Sequence, residues 1–196
     1  MKDRIEKLVG AKLNINIDKD VIVLYRINDN YPEDSIKLIK NDSDYSIIES
    51  HRDKNYELYK TDNQCEAIII SALMYKKMCD ELGDILTRNK IKEIAKSHNI
   101  EEMHSFLYTV LEKELFTIGE LEYDKVSLKE NGDKGTVYFH NMPLSLVENA
   151  KIERCYLVLY NFAMKYKEYK KFYDCLSEEE KQTVDFDKLA EMYVLV

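Results

Sequence analysis

His51, Arg52 and Asp53 are the residues whose types and order first suggest catalysis, because protein kinases carry the same triplet in their catalytic loop. That loop also needs an asparagine five residues after the aspartate, and Leu58 stands at that position here. The chain contains neither a glycine-rich phosphate loop nor an Asp-Phe-Gly motif. The pattern therefore excludes a kinase. It leaves His51 and Arg52, together with His140, as the first residues to consider for a site assembled from distant parts of the sequence.

Metal binding and nucleophilic catalysis find no clear support in the sequence. His98 and His104 are six residues apart, whereas two ligands on one helix need a spacing of three or four. The four cysteines form no Cys-x-x-Cys pair and lie in apolar or helical runs, which predicts reduced, mostly buried thiols: Cys65, Cys79, Cys155 and Cys175. The sequence also lacks a Gly-x-Ser-x-Gly motif. We predict no catalytic residue, no metal and no cofactor, and hence a protein that is not an enzyme.

Paired carboxylates are frequent, but their spacing does not select an acid–base pair. Glu112 and Glu114 are predicted to lie on different faces of a helix. Glu120 and Glu122 are predicted to share one face of a strand, about 7 Å apart. A glycosidase would place such a pair in a sugar-binding cleft, and the absence of tryptophan makes a stacking cleft a poor prediction. These acids are better interpreted as a charged surface.

The distribution of charge is the most informative feature. The chain carries a net charge of −8, of which −1 falls in residues 1–98 and −7 in residues 99–196. Residues 101–133 hold nine acids against three lysines, together with apolar groups such as Phe116 and Leu121. An acidic rim around an aromatic centre suits a basic protein partner, although a solvated face is the alternative. The predicted partner-binding residues are Glu101, Glu102, Glu112, Glu114, Glu120, Glu122, Asp124 and Tyr123.

The same composition argues against other classes of partner. A negative chain lacks the basic footprint that nucleic acids and anionic membranes require, so we predict neither partner. The lysine- and tyrosine-rich stretch 165–173 is interpreted as the end of an amphipathic helix rather than as a binding site for single-stranded nucleic acid. The longest apolar run, residues 67–70, is far too short to cross a bilayer, and the N-terminal residues lack a signal-peptide core. We therefore expect a cytoplasmic protein, and its oligomeric state stays open.

Hydrophobic periodicity predicts an α+β fold that begins with a small antiparallel sheet. A short helix over residues 4–9 precedes strands over residues 20–27, 35–39, 44–50 and 56–60. Thr61 to Gln64 has the spacing of a capping box, which predicts a helix from there to about Gly83. Its apolar spacing predicts that this helix covers one face of the sheet.

The remaining sequence predicts a mainly helical part with one β-hairpin. Helices are predicted over residues 90–97, 99–114 and 144–176, and a capping box at Ser177 to Glu180 starts a final helix. Strands over residues 121–129 and 135–140 flank Asn131-Gly132, a strong hairpin signal. We predict a single domain over residues 1–196, divisible into a sheet lobe of 1–84 and a helical lobe of 85–196.

Residues 45–78 resemble one family: their strand, charged turn, strand and capped helix are similar to a unit of immunity proteins from bacterial polymorphic toxin systems. Glu49, Arg52 and Asp53 stand in the turn, and Thr61, Asp62 and Glu66 mark the helix start. The glycine that follows the arginine in that family is absent here. The resemblance implies a non-catalytic protein that binds and neutralises a cognate toxin domain.

Two other classes of function stay open on sequence alone. One is a small enzyme with a site built from residues distant in sequence. The other is a regulatory or structural module that binds proteins. The chain contains 15 tyrosines, and tyrosine is enriched at protein interfaces.

Overall fold

The computed structural model describes residues 1–10, 20–25, 33–52, 54–80, 83–139 and 145–195, and the backbone of 14–18. The chain forms two compact units with mixed α-helices and β-sheets. The first unit comprises Met1–Asp80 and Lys170–Val196, and the second comprises Glu81–Tyr169. The sequence had suggested a division after residue 84, with all later residues in the second lobe.

The first unit contains a five-stranded antiparallel sheet, in agreement with the predicted N-terminal sheet. Its strands follow one another in space in chain order: β1 (Asn14–Asp18), β2 (Val21–Tyr25), β3 (Asp34–Lys40), β4 (Tyr45–His51) and β5 (Lys54–Thr61). The sequence analysis did not predict β1. Buried residues alternate along β2 and recur on β3 and β4, so that one face carries Ile22, Leu24, Ile36, Leu38 and Ile47.

The first unit also contains α1 (Lys2–Val9), α2 (Gln64–Cys79), α6 (Glu178–Lys181) and α7 (Phe186–Val194). The predicted covering helix is α2, which packs against β3, β4 and β5 and also contacts α1 and α7. Neighbours on several sides explain why Ala67 and a continuous run from Ile69 to Tyr75 are buried.

The two predicted capping boxes had different outcomes. At α6, the Ser177 side chain accepts the Glu180 N–H and the Glu180 side chain accepts the Ser177 N–H, which confirms the prediction. The box at the start of α2 is wrong, because Asn63 caps that helix by accepting the N–H groups of Cys65 and Glu66. Thr61 still belongs to β5, and its hydroxyl donates to Glu66.

The second unit contains a four-stranded sheet. In chain order, helices come before and after its strands. Its elements are α3 (Ile85–Ser97), α4 (Ile100–Val110), β6 (Phe116–Ile118), β7 (Val126–Asn131), β8 (Lys134–Phe139), β9 (Ser145–Lys151) and α5 (Ile152–Asp174). The sheet order is β6-β7-β8-β9, with β6 parallel to β7 and the other pairs antiparallel. The part of α5 up to Tyr169 belongs to this unit, and the rest of the helix belongs to the first unit.

This sheet corrects the prediction of a mainly helical part with a single hairpin. The predicted hairpin exists as β7 and β8, and Gly132 in its turn has φ +62°. Residues 145–151 form β9 and pair with β8, whereas the sequence analysis placed them in the long helix. The strand predicted from residue 121 begins later, because β7 starts only at Val126. The helix predicted to reach residue 114 ends at Val110, so Glu112 and Glu114 follow α4 instead of lying on it. Residues 119–125 form a loop with consequences for the candidate site.

Candidate partner-binding surface

The predicted acidic side chains concentrate in residues 111–125, which connect α4 to β7 and which we call the acidic connection. It includes the short strand β6, which pairs in parallel with β7. Parallel neighbours are normally joined by a dozen or more residues. Here the chain returns from the end of β6 to the start of β7 within residues 119–125. The loop is therefore short for a connection between parallel neighbours.

Backbone hydrogen bonds and two unusual conformations hold this return. The Gly119 N–H donates to Leu128 O at 2.8 Å, and the Val126 N–H donates to Leu115 O at 2.9 Å. Gly119 has φ +103°, a conformation that favours glycine, and Asp124 lies in the left-handed region with φ +64°. Between them, the Glu122 N–H donates to the Ser127 hydroxyl at 3.3 Å. The loop is thus fixed at both ends and in its middle.

Asp124 anchors the loop to the core of the second unit. Its carboxylate accepts a hydrogen bond from the hydroxyl of Tyr166, a fully buried residue of α5. The Tyr166 ring packs edge-on against Phe139 of β8, with 5.2 Å between the ring centroids. Of the eight predicted partner-binding residues, Asp124 therefore has an inward, positioning role.

Glu122 lies beside two donors within the connection. Lys125 Nζ is 2.7 Å from Glu122 Oε2. Hydrogen bonds from Lys125 and then Thr117 lower the pKa of Glu122, so this carboxylate is ionised at neutral pH. The prediction that Glu120 and Glu122 share a strand face is wrong, because both precede β7 in the loop.

The other acids of the connection point toward solvent. Glu112 is 57 % exposed at its side chain and pairs with Lys167 of α5 at 2.6 Å. Glu114 and Glu120 are exposed, and no residue in the described part of the chain pairs with their carboxylates. This segment keeps a negative surface even after its internal ion pairs are taken into account.

Two large apolar side chains alternate with these acids. Leu121 is 58 % exposed and Tyr123 is 57 % exposed, and each is flanked by acids. Exposed apolar groups are common singly, but two within three residues of one held loop form a distinct feature. The sequence-predicted aromatic group Tyr123 is thus accessible, while the predicted anchor Phe116 is buried in β6.

Glu101 and Glu102 lie apart from the acidic connection, at the opposite end of α4. Asn99 caps that end by accepting the Glu102 N–H at 3.1 Å. The axis of α4 rises about 15 Å from there to its last turn. The structure therefore does not gather the eight predicted residues into one cluster.

A pocket of about 340 Å³ opens beside this N-terminal end of α4. Its apolar lining is drawn from α3, α4 and α5 and includes Ile94, Ile100, Met103 and Ile152. Its polar lining residues include Asp133, Glu153, His98, Asn99 and Lys151. The sequence analysis did not select Asp133 or Glu153, because a hairpin turn and a helix start far apart in sequence bring them together.

Tyr156 forms a fixed aromatic part of the pocket. Its hydroxyl donates to Glu130 Oε1 at 2.5 Å, and His104 Nε2 lies 3.0 Å from the same oxygen. Burial and the Glu130 carboxylate raise the pKa of Tyr156 far above its ordinary value, so it is a neutral phenol. His104 is therefore part of a structural contact, while His98 lines the pocket.

The residues first considered for catalysis lie at the turn between β4 and β5. His51 Nδ1 contacts the Asp34 carboxylate, and Arg52 Nε is 3.1 Å from Glu33 Oε2. Both side chains are more than half exposed. His140 and Asp53 lie outside the described residues, so an assembled site with His140 stays a prediction.

Neither a metal site nor a membrane-spanning helix occurs among the described residues. No three side chains of His, Cys, Asp or Glu in that part of the chain group as a metal site. Among the described helices, none combines the length and apolar character needed to span a membrane. Comparison with protein family models finds no match, and comparisons with curated proteins and with solved structures find none either.

Proposed function

We propose that this chain is a non-catalytic protein that binds and neutralises a basic partner protein through the acidic connection. The observation that carries the proposal is the loop in which exposed Leu121 and Tyr123 alternate with Glu120 and Glu122. Apolar anchors within a ring of like charges suit a partner of opposite charge. The long-range attraction accelerates encounter, and burial of the anchors slows dissociation.

The energetics of such a loop favour binding. Burying a leucine or an aromatic side chain contributes about 1.5–3 kcal/mol. Association also costs free energy when a flexible loop must be ordered. Here the bonds of Gly119, Glu122 and Asp124 already order the return, which reduces that cost. The loop is prepared for recognition before a partner arrives.

The resemblance of residues 45–78 to immunity proteins supports a toxin domain as the partner. These residues form β4, β5 and α2 of the first unit. Glu66 there accepts hydrogen bonds from Tyr59 and Thr61 and so joins β5 to α2. In the proposed mechanism this segment is scaffold and the acidic connection is the contact surface. Inhibition then needs no chemistry, only occupation of the basic partner's working surface in the cytoplasm.

The proposal is tested by retrieval of the partner with matched variants. The tagged chain, the L121A/Y123A variant and the Y56A variant are each used to retrieve proteins from lysate of the source cells, quantified by mass spectrometry. Tyr56 is a suitable control because it is 51 % exposed but lies on β5. We expect one stoichiometric basic protein with the wild-type chain and Y56A, and at least a tenfold loss with L121A/Y123A. Equal recovery with all three would contradict the assignment.

Neutralisation is tested separately from binding. The retrieved protein is expressed in a host with and without this chain, and growth is measured. We expect growth arrest that is relieved by the wild-type chain and not by L121A/Y123A. A partner that binds tightly but does no harm would favour the regulatory alternative over the immunity function.

A further inference from the structure

The sheet of the first unit has an outer face, opposite α2, that the proposed function does not use. On its inner face, Ile36 of β3 lines a small pocket together with Met74 and Met78 of α2. Successive side chains along a strand point to opposite faces, so the neighbours of the inner residues lie on the outer face. Within the described part of the first unit, α2 is the only helix with extensive contacts to this sheet.

The outer face is more apolar than the solvent-facing side of a sheet normally is. An antiparallel sheet that is covered on one face usually alternates apolar residues inside with polar residues outside. Here four apolar residues occupy outer positions and are partly exposed, namely Val21, Val23, Ile39 and Ile48. Contiguous apolar groups on a surface are typical of interaction sites.

The strand register places a lysine and a glutamate symmetrically about Ile48. Lys37 of β3 pairs with Ile48 of β4, and Ile48 pairs with Glu57 of β5. Neighbouring strands are about 4.8 Å apart, so the two charged residues flank Ile48 at equal distances in one row. Lys37 Nζ lies 3.2 Å from the side-chain oxygen of Asn55 on β5, which places the ammonium group above the outer face.

We propose that the outer face binds the same face of a second copy of the chain in a twofold-symmetric dimer. An axis along β4, midway between the two sheets, places Ile48 against Ile48 of the second copy and Lys37 against Glu57 of the second copy. Symmetry forms this ion pair twice. Sheets packed face to face lie about 10 Å apart, a gap that a lysine and a glutamate side chain bridge together. Ser46 and Ser50 flank Ile48 along β4, and their small size allows this approach.

Charge balance favours a second copy over a protein of opposite charge. Lys37 and Glu57 balance each other, and the third charged residue at the outer positions of β2 to β5, Lys60, pairs with Asp44 at 3.0 Å. The face therefore has little net charge to attract a strongly basic or acidic protein. Residues 1–98 carry a net charge of only −1, so repulsion between two copies is weak in this part of the chain.

Sedimentation velocity of the full chain, from about 10 μM to about 1 mM, tests the proposal without any other protein. The paired rows span three strands, which is small for a specific interface, so we expect a reversible dimer with a Kd on the order of 100 μM. I48K places two ammonium groups together at the axis and should weaken association at least tenfold. The matched control I85K changes an isoleucine of α3 that is 67 % exposed and should leave association unchanged.

Charge-swap variants test the twofold geometry itself. K37E brings like charges together at both ion pairs, and so does E57K, so each variant alone should associate at least fivefold more weakly than the wild-type chain. An equimolar mixture of K37E and E57K restores attraction at both pairs and should associate as the wild-type chain does. The double variant K37E/E57K should do the same on its own. K7E on α1 is the control for the change in net charge.

Several results would overturn the inference. A monomer at all concentrations, association that I48K leaves unchanged, or a mixture of K37E and E57K that associates no better than either variant would each do so. A monomer whose I48K variant no longer retrieves the basic partner would assign the outer face to that partner instead. Urea denaturation shows whether each variant is folded, and the mixture keeps the test decisive if I48K unfolds, because a folding defect is not restored by mixing.

This inference and the proposed function fail independently. A dimer with the expected charge-swap behaviour, in a chain that retrieves no basic protein, would refute the proposed function and support the dimer. A monomer that retrieves a basic protein through Leu121 and Tyr123 would refute the dimer and leave the proposed function standing.

Discussion

The two units use their charged side chains in different ways. In the first unit, Arg4 of α1 donates to both carboxylate oxygens of Glu180, and its Nε lies 2.6 Å from Oε1. Asp80 accepts a hydrogen bond from Lys76 at 2.7 Å and another from Tyr193 of α7. In the second unit, the acidic connection presents carboxylates and apolar side chains to solvent.

The two kinds of charged contact have different physical effects. Ion pairs that join elements distant in sequence stabilise a unit, and they are partly shielded from salt. Exposed carboxylates contribute little to stability but raise the rate of encounter with an oppositely charged partner. Under the proposed function, the first unit serves as the scaffold and the second as the recognition unit. Substitutions in the two units should separate stability from binding.

The largest effect is expected from charge reversal in the acidic connection. Replacing Glu112, Glu114, Glu120 and Glu122 by lysine should weaken partner binding at least 100-fold, about 2.7 kcal/mol, and should flatten its salt dependence. Calorimetry or surface plasmon resonance at two salt concentrations measures both. A control with the same change in net charge replaces first-unit acids by lysine, namely Asp42, Glu57, Asp62 and Glu179. An equal loss in that control would show that only net charge matters.

The next effect is a loss of stability in the first unit. Arg4→Met leaves the Glu180 carboxylate, which is 13 % exposed, without its bidentate partner. Because both side chains are partly accessible, we expect a loss of about 2 kcal/mol in the free energy of unfolding, below the range for a fully buried pair. Urea denaturation measures it, with the exposed Arg154→Met as control. Partner binding should be unchanged. A change would contradict the separation of stability from binding between the two units.

The same ion pair predicts an acid-sensitive part of the stability. Burial alone would raise the pKa of Glu180, but the hydrogen bonds and charge of Arg4 and the hydrogen bonds of Ser177 outweigh it and lower that pKa. A lowered folded pKa stabilises the protein above the ordinary value of 4.5, and the contribution is lost as pH falls through the folded value. Unfolding free energies between pH 6 and 3 should therefore fall more steeply in the wild-type chain than in Glu180→Gln. Parallel curves would contradict this.

The smallest effect tests whether the loop is held in advance of binding. Tyr166→Phe removes the hydrogen bond to Asp124 and keeps the ring, and we expect a loss of about 1 kcal/mol in stability. Partner binding should weaken several-fold because the loop must then be ordered on association. Tyr138→Phe on β8 is the matched control. Unchanged binding in Tyr166→Phe would mean that the anchor serves folding alone.

Much of the first unit could be predicted from sequence, and the exceptions have physical reasons. The apolar alternation of β2 to β4 and the buried run of α2 identify a sheet and its covering helix. The strand β1, with the sequence NINID, was not predicted because asparagine and aspartate are poor strand formers. At the start of α2, Thr61 has the spacing of a cap, but its pairing with Tyr45 keeps it in β5.

In the second unit, long-range pairing overrides local preference. Residues 145–151 contain good helix formers and precede a true helix, yet they form β9 because β8 offers a pairing edge. The alternation around Leu121 and Tyr123 indicated a strand, but the chain turns there to bring β6 beside β7. The acidic residues could be found by counting charge. Sequence could not predict that Glu101 and Glu102 lie apart from the acidic connection, nor that segments distant in sequence form a pocket. Both depend on tertiary folding.

The discontinuous first unit has a consequence for synthesis. Residues 81–169 leave the ribosome before residues 170–196, so the second unit has its whole sequence available first. At that stage α2 cannot yet pack against α7, and Lys77 cannot yet donate its hydrogen bond to the carbonyl of Met192. Until the last residues emerge, the apolar helix α2 lacks part of its cover. The nascent chain therefore presents a transient surface for chaperones, and translation stalled after residue 169 would leave that surface uncovered.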